Sequence, residues 1–248
     1  MKRVFCDNFE KFLVDELGLK KNKYDEFLKE YRVTLGEKYS SANNFELKDN
    51  ILRKIYRKLW EVMGIKKLAR GAISVQPDVG IFLYIFTQLT KPKVVVETGT
   101  FAGYSAVHFS AAMKKNGFGK VITTDINPNA GWGIPKKLLN DNIEFHASQE
   151  PLSLLSTITP KNFDLFFHDS DHSYENVKNE LKIVLPKIAS KGILISHDSC
   201  RRTQSGPFKA FSELDDWHVF FIDSDNDQGT VLAVKDFDYL KKGILANN

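Results

Sequence analysis

Val94-Val-Val-Glu97-Thr-Gly99-Thr-Phe-Ala-Gly103-Tyr-Ser-Ala106 is the stretch on which the fold turns. It opens as a β-branched run over 93–97, passes two glycines, and continues into a helical stretch over 104–115. Gly99 and Gly103 fall in the turn from strand to helix, where glycine lets the backbone approach a ligand and the helix start offers free N–H groups. The spacing is not G-x-G-x-x-G, since position 101 is Phe101, and no P-loop lysine follows. The strand ends on an acid, Glu97, which suits a ligand bearing an ammonium group and repels a pyrophosphate. A second acid, Asp125, ends the next strand, where a carboxylate can accept both hydroxyls of a ribose.

Outward from this stretch the same alternation repeats. Strand patterns over 121–124, 143–146, 163–168 and 193–197 are separated by helical ones over 134–139, 150–158 and 174–186. Parallel neighbours need crossover connections, so the pattern predicts a doubly wound α/β domain with helices on both faces of a mostly parallel sheet. After a brief helix over 208–214, two further strands over 217–222 and 229–234 flank a short polar turn, giving a hairpin at the sheet edge and seven strands in all. Upstream, 79–89 reads as a buried helix. Residues 1–75 read as a helical extension. Apolar stripes run through Phe9, Phe12, Leu13 and Leu17, through Tyr24, Phe27, Leu28 and Tyr31, and through Leu47, Ile51, Leu52, Ile55, Tyr56, Leu59 and Met63, with a loop over 35–45. We therefore divide the chain into a cap or oligomerisation region, 1–75, and a ligand-binding domain, 76–248.

Composition narrows the class. A chain of 248 residues with 42% hydrophobic and 27% charged residues is neither disordered nor in need of staples. The longest uninterrupted apolar run in the first half, 81–86, falls far short of the ~20 residues a membrane span requires. Two cysteines, Cys6 and Cys200, make no disulfide framework, and the start lacks a secretory apolar region, so the expected compartment is the cytoplasm. The net charge of +4 is uneven: residues 1–75 carry 17 Lys and Arg against 11 Asp and Glu. The signs alternate, which fits solvated helix faces better than a nucleic-acid surface, and no aromatic-interleaved RNA motif is present.

Glu97-x-Gly99-x-x-x-Gly103 with Asp125 resembles the first motif and the ribose acid of the class I S-adenosylmethionine-dependent methyltransferases. Phe163-Asp-Leu-Phe-Phe-His-Asp-Ser-Asp-His-Ser-Tyr-Glu175 and Gly192-Ile-Leu-Ile-Ser-His-Asp198 are similar to the small-molecule O-methyltransferases grouped as methyltransferase domain family 24. The resemblance covers about 76–235 and makes 76–248 a cofactor-binding methyltransferase domain. It implies that Glu97, Gly99, Gly103 and Ser105 line the methionine end of S-adenosylmethionine, with Thr100, Tyr104 and Asp169 beside it. Asp125 and Ile126 would hold the ribose and Ser148 and Gln149 the adenine. For Ser148 a helix cap is the competing reading, and Trp132 suits an adenine cover, an acceptor cover or an exposed loop. Catechol-type relatives place a divalent cation between acids of two neighbouring strands, which here would be Asp169 and Asp198, with Ser199 where the family has asparagine. A hard cation such as Mg²⁺ prefers carboxylate and carbonyl oxygens to a hydroxyl.

His172, His197 and Asp171 crowd the same rim. With a reference pKa of about 6.5, either histidine suits a general base, assisted by Asp169. Arg201 and Arg202 could receive an anion, and Asp171 suits a helix cap. The expected activity is methylation of a hydroxyl on a small molecule such as a natural product, sugar or phenol, by a homodimer assisted by a cation. The alternatives are a metal-independent N- or O-methyltransferase with a histidine base, and a binding module built on the basic first 75 residues.

Overall fold

A computed structural model describes residues 3–36, 75–223 and 228–248. The expected helix over 47–63, most of the loop before it and the centre of the turn after Asp223 lie outside the described residues. Eight strands form one sheet: β1 (Arg3–Cys6), β2 (Val94–Thr98), β3 (Lys120–Asp125), β4 (Ile143–Ala147), β5 (Phe163–His168), β6 (Ile188–Ser196), β7 (His218–Ile222) and β8 (Thr230–Val234). Their order is β1-β7-β8-β6-β5-β2-β3-β4, with β8 antiparallel to both of its neighbours and every other pair parallel. All seven expected strands are present. The eighth, β1, corrects the all-helical reading of the first residues: Arg3–Cys6 pairs in parallel with β7 and takes the edge that the terminal hairpin was expected to close. Four residues are too few to show a period, so only a partner in space defines them.

Alternate residues of the buried strands face opposite layers. Val95, Leu165, Phe167 and Ile195 pack with the helices Pro77–Thr90 and Tyr104–Asn116, while Val96, Phe166 and Leu194 pack with Tyr174–Val184 and Gly206–Ser212. The first layer also contains the described N-terminal helices. Phe9–Lys11 runs on as a wide π turn over Phe12–Glu16, and Lys21–Tyr31 does so over Arg32–Gly36, which carries the helix into the expected loop. Phe12 is fully buried with its ring 5.1 Å from Phe220 and 6.0 Å from Phe82, so these helices share the core of the sheet. Gly80 lets the helix that begins at Pro77 lie close on its neighbour. A Cβ there would stand 2.7 Å from the Tyr104 ring and 2.9 Å from His108. A last helix, Phe237–Leu245, is capped by Asp236 and buries Leu240 and Ile244 on the same layer; it was not anticipated. Among the described residues no helix is long and apolar enough to cross a membrane.

Truncating Phe12 to alanine leaves a ring-sized cavity between three elements and is expected to cost about 3–5 kcal/mol. Urea unfolding checks this. One cooperative transition shifted as a whole is the expected result, whereas an unshifted main transition would make the N-terminal helices a separate unit.

Candidate active site

Chain order reverses between β2 and β5, and the crevice outside the carboxyl ends of strands at such a point is where open α/β sheets bind ligands. The turn leaving β2 is bound to its neighbours first through its backbone. Gly99 and Thr100 donate N–H bonds of 2.8 and 3.1 Å to the Thr124 carbonyl, and Asp169 donates one of 2.9 Å to Thr98. Gly99 has φ +89°, and a Cβ there would lie 2.0 Å from the Asp169 carbonyl oxygen, so only glycine fits. Gly103, also at positive φ, caps the helix Tyr104–Asn116 without a side-chain acceptor, which leaves the first-turn N–H groups available to an anion.

Glu97 is fully buried. Ser105 donates its hydroxyl to one carboxyl oxygen, while the other has no hydrogen-bond partner. Burial pushes the Glu97 carboxyl up to about 8; the Ser105 and Thr123 hydroxyls offset part of this and the Asp169 and Asp125 carboxylates add to it. A buried acid with an orphaned oxygen fits a cationic ligand group, which would replace its proton. Asp125 accepts the N–H of Phe101 and of Asn127, each at 2.8 Å, and is part-exposed at the crevice edge. Ile126 lies exposed beside it, its carbonyl accepting the Gln149 amide at 2.7 Å. Ser148 accepts the Glu150 N–H at 3.0 Å in a local turn; the helix Pro151–Ile158 begins after Glu150 without a side-chain cap, so Ser148 is not the helix cap that was its alternative reading. Trp132 is exposed, its ring 6.3 Å from the equally exposed Phe101.

Two expected cofactor contacts turn elsewhere. The Thr100 hydroxyl is buried against Thr123 at 2.6 Å, and the Tyr104 ring packs on His108, 4.2 Å away, and on Gly80. Their backbone N–H groups remain in the turn, but their side chains belong to the core.

Beyond β5 and β6 the rim brings Asp169, His172, His197 and Asp198 together, as the sequence implied. His197 is almost fully buried, with Nδ1 3.0 Å from Asp169 Oδ1 and Nε2 2.7 Å from Gln76 Oε1. Both ring nitrogens are engaged and the ring is enclosed. His172 is about a third exposed, with Nε2 3.0 Å from Asp198 Oδ2 and 3.8 Å from Asp169 Oδ1. For both histidines burial opposes the charged form, but the hydrogen bonds and charges of Asp198 and Asp169 outweigh it and hold the pKa above the usual value. Asp198 is correspondingly held low: burial works against its charge, and His172 and His197 outweigh it.

The expected cation does not fit. The Ser199 hydroxyl donates back to the Ser196 carbonyl at 3.0 Å, and the two carboxylates converge on the imidazoles of His172 and His197, with Asp198 Oδ1 left without a hydrogen bond. Among the described residues no group of three or more His, Cys, Asp or Glu side chains is arranged to hold a metal. Asp171 braces Ser173, itself the cap of the helix Tyr174–Val184, and Arg201 lies 4.7 Å over the Phe5 ring.

Three residues of the site were missed. Gln76 reaches it from the start of the helix Pro77–Thr90. His168, at the end of β5, places Nδ1 2.7 Å from Glu180 Oε2, and both are buried beneath the rim. The signal was present for Glu180, a carboxylate on the same helix face as Val177, Leu181 and Val184.

A doubly wound sheet with an acid-glycine turn at its switch point and a second acid ending the next strand defines the class: a Rossmann-like methyltransferase fold. Residues 96–199 match the family described as a methyltransferase domain. The catechol O-methyltransferase of Niastella koreensis is 32% identical over 107 residues, 40% of this chain and 47% of that protein. A putative O-methyltransferase of Mycobacterium sp. (strain KMS) is 32% identical over 113 residues, 41% and 47%. The matches thus span about half the length of these curated relatives. Among solved structures, the O-methyltransferase from Bacillus cereus in complex with SAH has a TM-score of 0.55 at 18% identity, covering 90% of this chain and 95% of that one. The O-methyltransferase TomG from Streptomyces achromogenes, in complex with SAM, has a TM-score of 0.54 at 17% identity, covering 65% and 81%. At such identities the likeness is one of fold.

The folded pKa values of His172 and His197 lie above the unfolded value of about 6.5. The stability they add is complete below that value and is lost as pH rises through the folded values. Asp198→Asn should therefore lower the melting temperature more at about pH 6 than at about pH 9. Thermal unfolding followed by circular dichroism at both pH values measures this, and an equal loss at both would remove the ion pair from the account.

Proposed function

We propose that the protein is an S-adenosylmethionine-dependent O-methyltransferase acting on a hydroxyl of a small molecule, with His172 as general base and no step through a metal. The observation that carries it is the pairing of Glu97, buried with an orphaned oxygen, and Asp125 at the ends of adjacent strands, on either side of an uncapped helix start. When bound, the cofactor supplies a methyl carbon on a positively charged sulfur. Glu97 would then take its ammonium group, the first-turn N–H groups of the helix Tyr104–Asn116 its carboxylate, and Asp125 its ribose hydroxyls.

His172 Nε2 accepts the proton of the acceptor hydroxyl, which raises the nucleophilicity of the oxygen. Asp198 and Asp169 stabilise the imidazolium that results, and His197, held by Gln76, keeps Asp169 in place. A cleft of about 210 Å³ between the N-terminal helices and the helix Pro77–Thr90 supports a small acceptor. Phe9, Leu13 and Phe82 give it apolar walls, and Asp78, at its edge, is two residues from Gln76. The cytoplasmic setting expected from the sequence stands with this proposal on the two free cysteines, and the homodimer on the apolar sequence stripe from Leu47 to Met63, since the stripe from Phe9 to Leu17 is spent on the core.

Titration of S-adenosylhomocysteine by calorimetry tests the cofactor half. Glu97, with its pKa at about 8, is mostly protonated near neutral pH, and a bound ammonium group favours its carboxylate, so binding should release a proton. The heat should depend on buffer ionisation enthalpy for the wild type and not for Glu97→Gln, and affinity should rise with pH until about 8. Asp125→Ala should weaken binding by about 2–3 kcal/mol. No saturable binding to the wild type would sink the proposal.

Methyl transfer to a panel of phenols and sugars tests the base. His172→Gln should lower kcat by roughly 10²–10⁴-fold. The wild-type rate should rise with pH through a value above 6.5, because the base must first lose the proton that Asp198 and Asp169 hold on it.

A further inference from the structure

A ring of hydrogen bonds that the proposed reaction does not use ties the N-terminal helix Lys21–Tyr31 to the start of the helix Tyr104–Asn116. Tyr31 is 4% exposed, and His108 is fully buried. The Tyr31 hydroxyl lies 3.2 Å from His108 Nε2, and His108 Nδ1 lies 2.7 Å from the Tyr104 carbonyl oxygen. A carbonyl only accepts, so Nδ1 carries the hydrogen and Nε2 takes the Tyr31 O–H. The Tyr104 hydroxyl in turn bonds the Tyr31 oxygen, so the ring begins and ends on Tyr104. Packing holds the same three side chains. The Tyr31 and His108 rings stack with centroids 5.7 Å apart, and a Cβ at Gly80 would stand 2.9 Å from His108 Nε2 and 3.1 Å from the Tyr104 hydroxyl. Phenylalanine at 31 and leucine at 108 would fill this layer with no polar group to satisfy, so the ring is not what packing alone requires.

Its place in the backbone shows what it can do. The carbonyl on which it closes belongs to the Tyr104–Ser105 peptide, whose N–H is one of the first-turn donors left without a side-chain cap. The hydroxyl of the same Ser105 holds Glu97. One residue therefore carries a donor for a carboxylate and orients the acid that suits an ammonium group. A hydrogen bond accepted at a peptide oxygen polarises that peptide and strengthens its N–H as a donor. On the reading of this helix start as the seat of the cofactor's carboxylate, we propose that Tyr31 and His108 are positioning residues that brace the Tyr104–Ser105 peptide from the core. Docking of the N-terminal helix thereby sets the affinity for the amino-acid end of the cofactor. The coupling is reciprocal, so a filled helix start also holds the N-terminal helix more firmly.

Two ligands separate this role from general support of the fold. S-adenosylhomocysteine has the carboxylate; its decarboxylated analogue keeps the nucleoside, the sulfur and the ammonium group and lacks only that. Each is titrated by calorimetry into the full chain, with circular dichroism melts to show that every variant is folded. Tyr31→Phe, which removes one hydroxyl and keeps the ring, should weaken S-adenosylhomocysteine by roughly 3–10-fold and leave the analogue unchanged. His108→Leu should give the same selective loss, and the double variant should add little to it, because both side chains act through one carbonyl. Asp125→Ala, on the ribose side, should weaken both ligands. Hydrogen exchange gives a second reading: S-adenosylhomocysteine should slow exchange in the helix Lys21–Tyr31 of the wild type and do so less in Tyr31→Phe.

Equal weakening of both ligands by Tyr31→Phe, or none of S-adenosylhomocysteine, overturns the positioning role and leaves the cofactor reading intact. An exchange rate in Lys21–Tyr31 that ignores the ligand overturns it as well. No saturable binding of S-adenosylhomocysteine to the wild type overturns the cofactor reading itself, and the positioning role with it.

Discussion

The turn after β2 lies backbone to backbone against the residue that ends β5, and every group of the site takes its place from that approach. Gly99 makes it, at a positive φ and with no room for a Cβ beside the Asp169 carbonyl. The ladder then runs one residue past the strands, from Asp169 N–H to the Thr98 carbonyl and from His197 N–H to the His168 carbonyl at 3.0 Å. Register therefore aligns three side-chain sets on one edge: the cofactor turn, the Asp169 rim and the His197–Asp198 end of β6. Parallel strands present all their carboxyl ends on one side, so no loop has to be ordered separately to bring these residues together.

The charges follow from that placement. Two carboxylates enter a crevice with little solvent, where leaving both uncompensated would be costly. Two imidazoles compensate them unequally. His197 is enclosed and spends both nitrogens on Asp169 and Gln76, whereas His172 stays partly open. Position alone sets them apart, one enclosed and one reaching the rim, although both have raised pKa values. Glu180, one layer deeper, is held ionised although burial opposes it, because the His168 charge and bond and the hydroxyls of Ser170 and Thr98 all favour its anion.

The sheet was legible because its evidence is local and repeated: β-branched runs, glycine turns and helical stripes of the right lengths. The rim was legible because strand ends are. What escaped was set by partners distant in sequence. Arg3–Cys6 is a strand only through β7, and Gln76 meets the site across 121 residues. Thr100 and Tyr104 sit in the right turn, but whether a side chain there faces crevice or core depends on Thr123 and Gly80, which the motif does not contain. The Ser199 hydroxyl likewise could not be placed from its neighbour in sequence.

Asp198 explains why the rim holds imidazoles where the sequence suggested a cation. Its φ of 52° is the left-handed region, uncommon for a residue with a side chain and strained by about 1 kcal/mol or more. That turn sets the carboxylate against His172 and sends the chain on to Ser199, whose N–H bonds the Gly229 carbonyl at 3.0 Å and whose hydroxyl returns to Ser196. One backbone conformation thus removes the third oxygen donor and supplies the counter-charge for an imidazolium. A Lewis acid lowers an acceptor's pKa from outside, and a base removes its proton outright; either raises the nucleophilicity of the same oxygen. With the donor withdrawn, the rim retains the imidazoles that the second requires.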